Sequence, residues 1–556
     1  MTEPAGGAAG SARKVYEVLA EAFAAEGVCV MFNIMGYGNR HFMVSAAQAG
    51  IRLVTARHEG AALAMADGYA RAGGDVGVIS VHYGPGVTQL PTSIMVASKA
   101  GTPLVIFAAG IPRDTRHMGG PLDLDERSLL QASGAIVIEL HQAKKAAETV
   151  HLAFHQARRH GKPVALLAPI DIQEQTVQVD GPAPGPVVQL ARPVSVPLQD
   201  AVAEAASILR QAERPLVLAG RGALNPRAQE LALKIADHLG ALVATTFGAK
   251  GLFDGHPRSL GAAGGFALHA DRELLEQADC VLAIGASLNP RTTDRGTLFA
   301  GARILQIDDH PSAFEDAEPT GQFRLPGDAA ATLEQLAQAL PDGDQRPTWS
   351  PDVLARLAGS DSRRSELADY PKVPEQGTVD PRQFMLDMDA VLPEDAVIVV
   401  GGGHCMTFAV QYLRNPSGRS FELVFDFMTT GQALGSAIGA ALACPGRPVV
   451  AVEGDASILM HIQELETAAR LGIPLLILVL NDGALGAEYH GLVADGMDAS
   501  PALAATPALA RVAEAFGGAG MDVAGPGAAE KIMRWYDPAR GPHLVDVRIP
   551  LSIVAP

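Results

Sequence analysis

In the stretch Val449-Val450-Ala451-Val452-Glu453-Gly454-Asp455-Ala456-Ser457 an apolar, mostly β-branched run breaks at a glycine between two acids. Leu475-Leu476-Ile477-Leu478-Val479-Leu480-Asn481-Asp482-Gly483 repeats the design. Apolar runs of this length read as strands buried on both faces, the pattern of a parallel sheet, and the helix-like segment between them completes a β-α-β unit. In an open parallel sheet ligands bind in the crevice outside the strand C-termini. A helix opening at Ser457 would aim its free N–H groups and positive dipole end into that crevice. Asp455 and Asp482 then offer hard oxygen ligands for Mg²⁺ bridging a diphosphate on the helix terminus. Either aspartate alone would read as a helix cap; their spacing together with Gly454 favours the metal.

The same alternation runs through the chain. Strands are predicted at 28–33, 52–55, 76–82, 104–108, 136–139 and 164–167, at 215–219, 241–245, 280–284 and 303–307, and at 396–400, 449–453, 475–480 and 544–547. A Pro-rich stretch, 181–197, and a polar one, 341–380, interrupt the pattern and read as linkers. The fold class is therefore α/β, with three doubly wound parallel-sheet domains at 12–180, 198–341 and 380–556, which suits a length of 556 residues. With 43 basic and 61 acidic residues the net charge is −18, and no Lys/Arg cluster forms a positive stripe, so nucleic acid is not an expected partner. The four cysteines lie far apart and read as reduced, mostly buried thiols. Residues 1–12 lack a basic start and an apolar core, and no apolar run is long enough for a membrane span, so a cytoplasmic enzyme with no membrane partner is expected.

With these motifs in view, the chain resembles, over essentially its whole length, the thiamine-diphosphate-dependent enzymes of the acetolactate synthase, pyruvate decarboxylase, benzaldehyde lyase and benzoylformate decarboxylase type. Their signature is Gly-Asp-Gly followed by Asn-Asn or Asn-Asp, and here it stands as Gly454-Asp455-Ala456 and Asn481-Asp482. The resemblance implies a pyrimidine-binding, a central and a diphosphate-binding domain. It assigns Mg²⁺ to Asp455, Asp482 and the Ala484 carbonyl, and the cofactor's diphosphate to Ser457, with Gly454, Ala456, Leu485 and Gly486 around it. Ala456 replaces the usual glycine without removing a ligand. In Arg57-His58-Glu59-Gly60, Glu59 opens an Ala-rich helix, where an acid also suits the dipole. By the resemblance it hydrogen-bonds the cofactor's aminopyrimidine and favours the tautomer that takes the proton from thiazolium C2.

Further matches extend the site. Ser80-Val81-His82-Tyr83-Gly84-Pro85-Gly86 resembles the family's loop facing thiazolium, with Gly84 at the cofactor and His82 as a proton shuttle; Gly401-Gly402-Gly403-His404 resembles the loop at the diphosphate, which puts His404 near it. Glu488, six positions past Asp482, stands where decarboxylases carry an acid/base glutamate. His117 falls near their histidine loop but lacks the His-His pair. In Phe427-Met428-Thr429-Thr430-Gly431, Met428 and Thr430 occupy the place of the bulky residue that bends the cofactor.

Departures narrow the activity. Acetolactate synthases carry Met and Trp where Ala487 and Gly491 stand, and their glutamine has Leu122 nearest to it. Segments 245–253 and 285–293, including Arg291, resemble FAD-holding segments and leave FAD open, whereas Gly265-Phe266-Ala267 stands where flavin binders have Met-His-Gly. The expected function is a thiamine-diphosphate- and Mg²⁺-dependent carbon–carbon lyase or carboligase acting on a small carbonyl substrate, a 2-oxo acid or an acyloin. The rivals are an acetolactate synthase-type transferase, a hydrolase of a cyclic dione and a non-catalytic paralogue. The resemblance also implies a homodimer or homotetramer with active sites between subunits.

Overall fold

Three six-stranded parallel sheets form along the chain, in a computed structural model that describes residues 11–179, 194–309, 323–340, 349–359, 361–369, 376–415 and 420–555. In the first sheet the spatial order is Arg52–Thr55, Val30–Asn33, Gly77–Val81, Leu104–Gly110, Pro163–Pro169, Ile136–Glu139. The second runs Ser259–Ala262, Leu242–Thr245, Pro215–Ala219, Cys280–Ile284, Arg303–Asp308, Phe323–Pro326. The third runs Ser420–Val424, Val397–Gly401, Val449–Gly454, Leu475–Asn481, Pro542–Arg548, Ala519–Val523. Each sheet starts from an inner strand, adds one neighbour on one side in the first and third sheets and two in the second, and then continues on the other, so each reverses strand order beside its first strand.

Every strand missed within these sheets lies at an edge: Ser259–Ala262, Phe323–Pro326, Ser420–Val424 and Ala519–Val523. An edge strand pairs on one side only and is partly wet, so it needs no apolar run. A two-stranded antiparallel sheet, Ser11–Lys14 with Thr176–Val179, was also not anticipated and ties the start of the first domain to its end. Residues 181–193 of the Pro-rich stretch lie outside the described residues. The second expected linker is corrected: its described parts form the helices Pro351–Gly359 and Ser362–Asp369. Trp349 is buried in the central-domain core and donates from its indole N–H to the Pro215 carbonyl at 3.1 Å. One aromatic anchor thus fixes a segment whose average composition is polar. Cys280 and Cys405 are buried, while Cys29 is exposed, against the expectation of mostly buried thiols.

Alternate strand residues feed two faces. In the first sheet Phe32, Ile79 and Ile106 enter one cluster, while Met31, Val78 and Val105 enter another. Val399, Ala451 and Ile477 of the third sheet join the cluster of Phe32, so the first and third domains share one core. Between them the helices Glu59–Arg71 and Ala433–Ala443 touch backbone to backbone. A Cβ at Gly68 would lie 2.0 Å from the Ser436 carbonyl oxygen, and one at Gly439 would lie 1.8 Å from that of Met65. At the end of this seam Arg71 pairs with Asp67 and with Asp426, each at 2.9 Å, and Arg221 of the central domain also pairs with Asp426.

Gly439→Ala should therefore force the helices apart and cost at least about 2 kcal/mol in urea denaturation. Gly491→Ala, on a helix with nothing within 4 Å of its added methyl, should stay within about 1 kcal/mol of wild type.

Candidate active site

In the third sheet the order reverses between Val397–Gly401 and Val449–Gly454, and the crevice beyond these strand ends is walled by Gly402, Gly403, His404 and Asp455. Asp455 is buried and its Oδ2 has no hydrogen-bond partner. Burial, then the charge of Asp482, pushes its carboxyl up to about 7. Asp482 is held on both oxygens: Oδ1 accepts from the Ala484 N–H at 3.1 Å, and Oδ2 lies 2.9 Å from His404 Nδ1. The Ala555 N–H donates to His404 Nε2 at 3.1 Å, which assigns the neutral ring's proton to Nδ1, facing Asp482. A Cβ at Gly486 would sit 2.3 Å from Asp482 Oδ2, so glycine is required where the helix Gly486–Ala494 begins. Ala484 is fixed by a bridge to Leu503. The bridge's hydrogen bonds run from Leu485 N–H to the Ala502 carbonyl and from Ala504 N–H to the Gly483 carbonyl, each at 2.8 Å, and leave the Ala484 carbonyl out of the pairing.

Two carboxylates in one buried crevice, one with an orphaned oxygen, repel each other unless a cation lies between them. The donors are hard oxygens, which suits Mg²⁺. Among the described residues no group of three acidic, His or Cys side chains could hold a metal, so the rest of a coordination shell would come from a carbonyl and from ligand oxygens. Ser457 departs from expectation in one respect. Its hydroxyl donates to Glu453 Oε1 and accepts from the Gly431 N–H, both at 2.8 Å. Its single proton is thereby engaged, and its backbone N–H is what remains for an anion.

The first sheet reverses between Val30–Asn33 and Gly77–Val81, and the second half of the site lies beyond these strands. His58 caps the helix Glu59–Arg71, its Nδ1 accepting from the Gly60 N–H at 3.0 Å, and leaves Glu59 half-buried at the first position. A Cβ on Gly86 would be 3.5 Å from Glu59 Oε1 and 3.5 Å from His82 Cβ, so Glu59, His82 and Gly86 share one wall. His82 Nδ1 accepts from the Gly38 N–H at 3.1 Å, which leaves the neutral ring's proton on Nε2, and burial lowers its pKa. Gly84 takes φ +64° and donates its N–H to Glu126 Oε1 at 2.7 Å.

The remaining expected residues are more open. His117 sits at φ +65° on an exposed turn that Asp123 pins through the Gly119 N–H. Glu488 is exposed on the first turn of Gly486–Ala494, and Leu485 is 46% exposed. Met428, at φ +56° and 58% exposed, meets Arg291 Nη2 through its sulfur at 2.9 Å, and Thr430 Oγ1 lies 3.3 Å from Met460 Sδ. Gly454 and Ala456 flank Asp455 as expected from the sequence. Sequence reasoning missed Glu126, Glu453 and Glu464, all buried. Glu453 carried a signal, a carboxylate closing an otherwise apolar strand, whereas Glu126 was hidden among the acids of Asp123-Leu124-Asp125.

The α/β fold thus sets out two crevices at strand-order reversals, one with a buried acidic pair and one with a helix-terminal glutamate. Residues 13–133 match the description "Thiamine pyrophosphate enzyme, N-terminal TPP binding domain", 202–336 the central domain and 401–547 the C-terminal TPP binding domain of the same family. The chain is 28% identical to a probable acetolactate synthase large subunit of Methanocaldococcus jannaschii, over 96% of this chain and 91% of that protein. It is 30% identical to a sulfoacetaldehyde acetyltransferase of Alcaligenes xylosoxydans xylosoxydans (86% and 82%) and 30% identical to a probable 2-ketoarginine decarboxylase of Pseudomonas aeruginosa (90% and 88%). The protein belongs to the thiamine pyrophosphate enzyme family and carries both of its cofactor-binding domains. No helix among the described residues is long and apolar enough to cross a membrane.

Burial raises the Glu126 carboxyl from 4.5 to about 7, against the opposing pull of the Gly84 N–H and Arg116. The protonated group therefore favours the fold: its contribution is complete below about 4.5 and is lost as pH rises through about 7. Glu126→Gln, neutral throughout, should gain on wild type by on the order of 3 kcal/mol between pH 4.5 and 8 in urea denaturation of the cofactor-free protein. A difference that stays constant with pH would contradict this placement.

Proposed function

We propose that the protein is a thiamine-diphosphate- and Mg²⁺-dependent enzyme that breaks or forms a carbon–carbon bond at the carbonyl carbon of a 2-oxo acid or an acyloin. The observation that carries this reading is the orphaned Asp455 Oδ2 beside Asp482 at a strand-order reversal. A scaffold with no ligand would gain by replacing that buried acid. Asp455, Asp482 and the Ala484 carbonyl would hold the ion, and the Ala456 and Ser457 N–H groups the diphosphate. Glu59 would hydrogen-bond the aminopyrimidine, and the bound cofactor would supply the nucleophilic carbon and the electron sink. His82, its Nε2 proton free of the Gly38 contact, and Glu488, on the exposed rim, would move protons on the substrate side. The relative named as a 2-ketoarginine decarboxylase supports a 2-oxo acid. FAD is left out of this reading. Arg291 lies over the Phe425 ring, 5.3 Å from its centroid, and the central-domain cavity is lined by Asp308, Asp309 and Asp328. One acid at a strand end suits a ribose; three crowd a diphosphate.

A second copy of this chain would complete the site. Met35, Tyr37 and Met118 are exposed near the Glu59 half, and Met428, Met460, Leu485, Val493, Met497 and Leu503 near the Asp455 half. Apolar residues concentrated around two half-sites are the mark of an interface.

A screen of 2-oxo acids, acyloins and aldehydes, with CO₂ measured separately, should give turnover that needs thiamine diphosphate and falls at least a hundredfold, roughly, in Glu59→Gln. Acetolactate from pyruvate alone would select the transferase instead. Because a cation must displace a proton from Asp455 below about pH 7, Mg²⁺ affinity in the presence of thiamine diphosphate should fall about tenfold per pH unit below 7 and level off above it. Calorimetry in two buffers at pH 6 should count about one more proton released by wild type than by Asp455→Asn.

A further inference from the structure

The helix Glu464–Arg470 follows the metal-ligand segment of the third domain, yet its polar side chains reach the first domain. Glu464 is fully buried. The Arg57 N–H donates to both its oxygens, at 3.0 and 3.2 Å, and Thr467 Oγ1 donates to Oε2 at 2.7 Å. Around it, Arg57 Nε donates to Glu466 at 2.7 Å, and Arg470, itself bound to Glu466, donates to the Thr55 carbonyl at 2.7 Å. His461 lies with its ring 5.1 Å from that of His58 and hydrogen-bonds the Gly431 carbonyl at 2.7 Å.

Residues 55–58 are thus gripped largely through their backbone by one short stretch of the third domain, immediately before Glu59. A buried carboxylate is costly, and an apolar residue of similar size would pack here with less penalty. What the acid adds is a fixed position for the Arg57 N–H, and with it the point from which the Glu59 helix starts. Resting on the reading of Glu59 given above, we propose that Glu464 is a positioning residue for Glu59: it sets where that carboxylate meets the cofactor's aminopyrimidine without touching the cofactor itself.

The test uses the full-length protein, wild type, Glu464→Gln and Glu464→Ala. Three quantities are measured: amide hydrogen exchange at Arg57 and His58 without cofactor, affinity for inorganic pyrophosphate with Mg²⁺, and the rate of C2 proton exchange of bound thiamine diphosphate. Both variants should exchange the two amides faster and keep pyrophosphate affinity within about threefold, since the diphosphate contacts are untouched. C2 exchange should slow about a hundredfold in the alanine variant, and less in the glutamine variant, which keeps one acceptor oxygen. C2 exchange within twofold of wild type in both variants would overturn the proposal. Wild-type protein that fails to accelerate C2 exchange over free cofactor would instead overturn the functional reading on which it rests. Thr467→Val, which removes only the hydroxyl holding the Glu464 carboxyl, should slow C2 exchange in the same sense and serves if the Glu464 variants do not fold; an unchanged rate there would likewise count against the proposal.

Discussion

The close contact of the helices Glu59–Arg71 and Ala433–Ala443 is the constraint on which the rest of the chain depends. Gly68 and Gly439 let two backbones meet where any Cβ would collide, and the shared core of the first and third sheets closes around that seam. Because the helix carrying Glu59 is locked to the third domain along its length, the start of that helix cannot move independently of the segment that carries Asp455. Both domains are built on one topology, so each presents a crevice at its own strand-order reversal. The seam sets how the two crevices are oriented. The central sheet is ordered differently, with two strands on one side of Pro215–Ala219 and three on the other, and past its reversal Gly220 N–H donates to the Ile284 carbonyl at 2.8 Å and Gly222 N–H to the Gly285 carbonyl at 3.1 Å.

Buried acids around the two crevices follow one logic. Each is taken out of water, which raises its pKa, and each is tolerated because donors are aimed at it. Gly84 serves Glu126, Ser457 serves Glu453, and Arg57 with Thr467 serves Glu464. These three hold loops and helix starts in place. Glu453 and Asp455 each keep one buried oxygen without a donor, but Asp455 alone of the four has its carboxyl raised by the charge of Asp482. A second carboxylate beside an unsatisfied one is what supports the proposed cation at Asp455 and Asp482.

Much of this was legible in the sequence. Inner strands announce themselves as apolar runs because both their faces are covered, and Asp455 and Asp482 stood out because they close two such runs. The edge strands were silent, since a strand that is half wet needs no apolar signature. The helices within 341–380 were silent too, because a single tryptophan anchors a polar segment. The role of Glu464 could not be read at all: its partner N–H lies 407 positions away. A backbone donor has no side-chain identity for a sequence to display. Ser457 shows the converse. Its place in the motif was plain, but only the fold reveals that its hydroxyl faces inward to Glu453.

The central claim is that Glu59 and Asp455 serve one cofactor from two different copies of the chain. Subunit mixing tests it most directly. Glu59→Gln and Asp455→Asn chains, each inactive alone in C2 proton exchange of thiamine diphosphate, are unfolded, combined in equal amounts and refolded. In a mixed dimer one site then receives both lesions and the other none, so about a quarter of the wild-type exchange rate should return. A mixture no faster than its separate components would place both residues in the site of a single chain and contradict the claim.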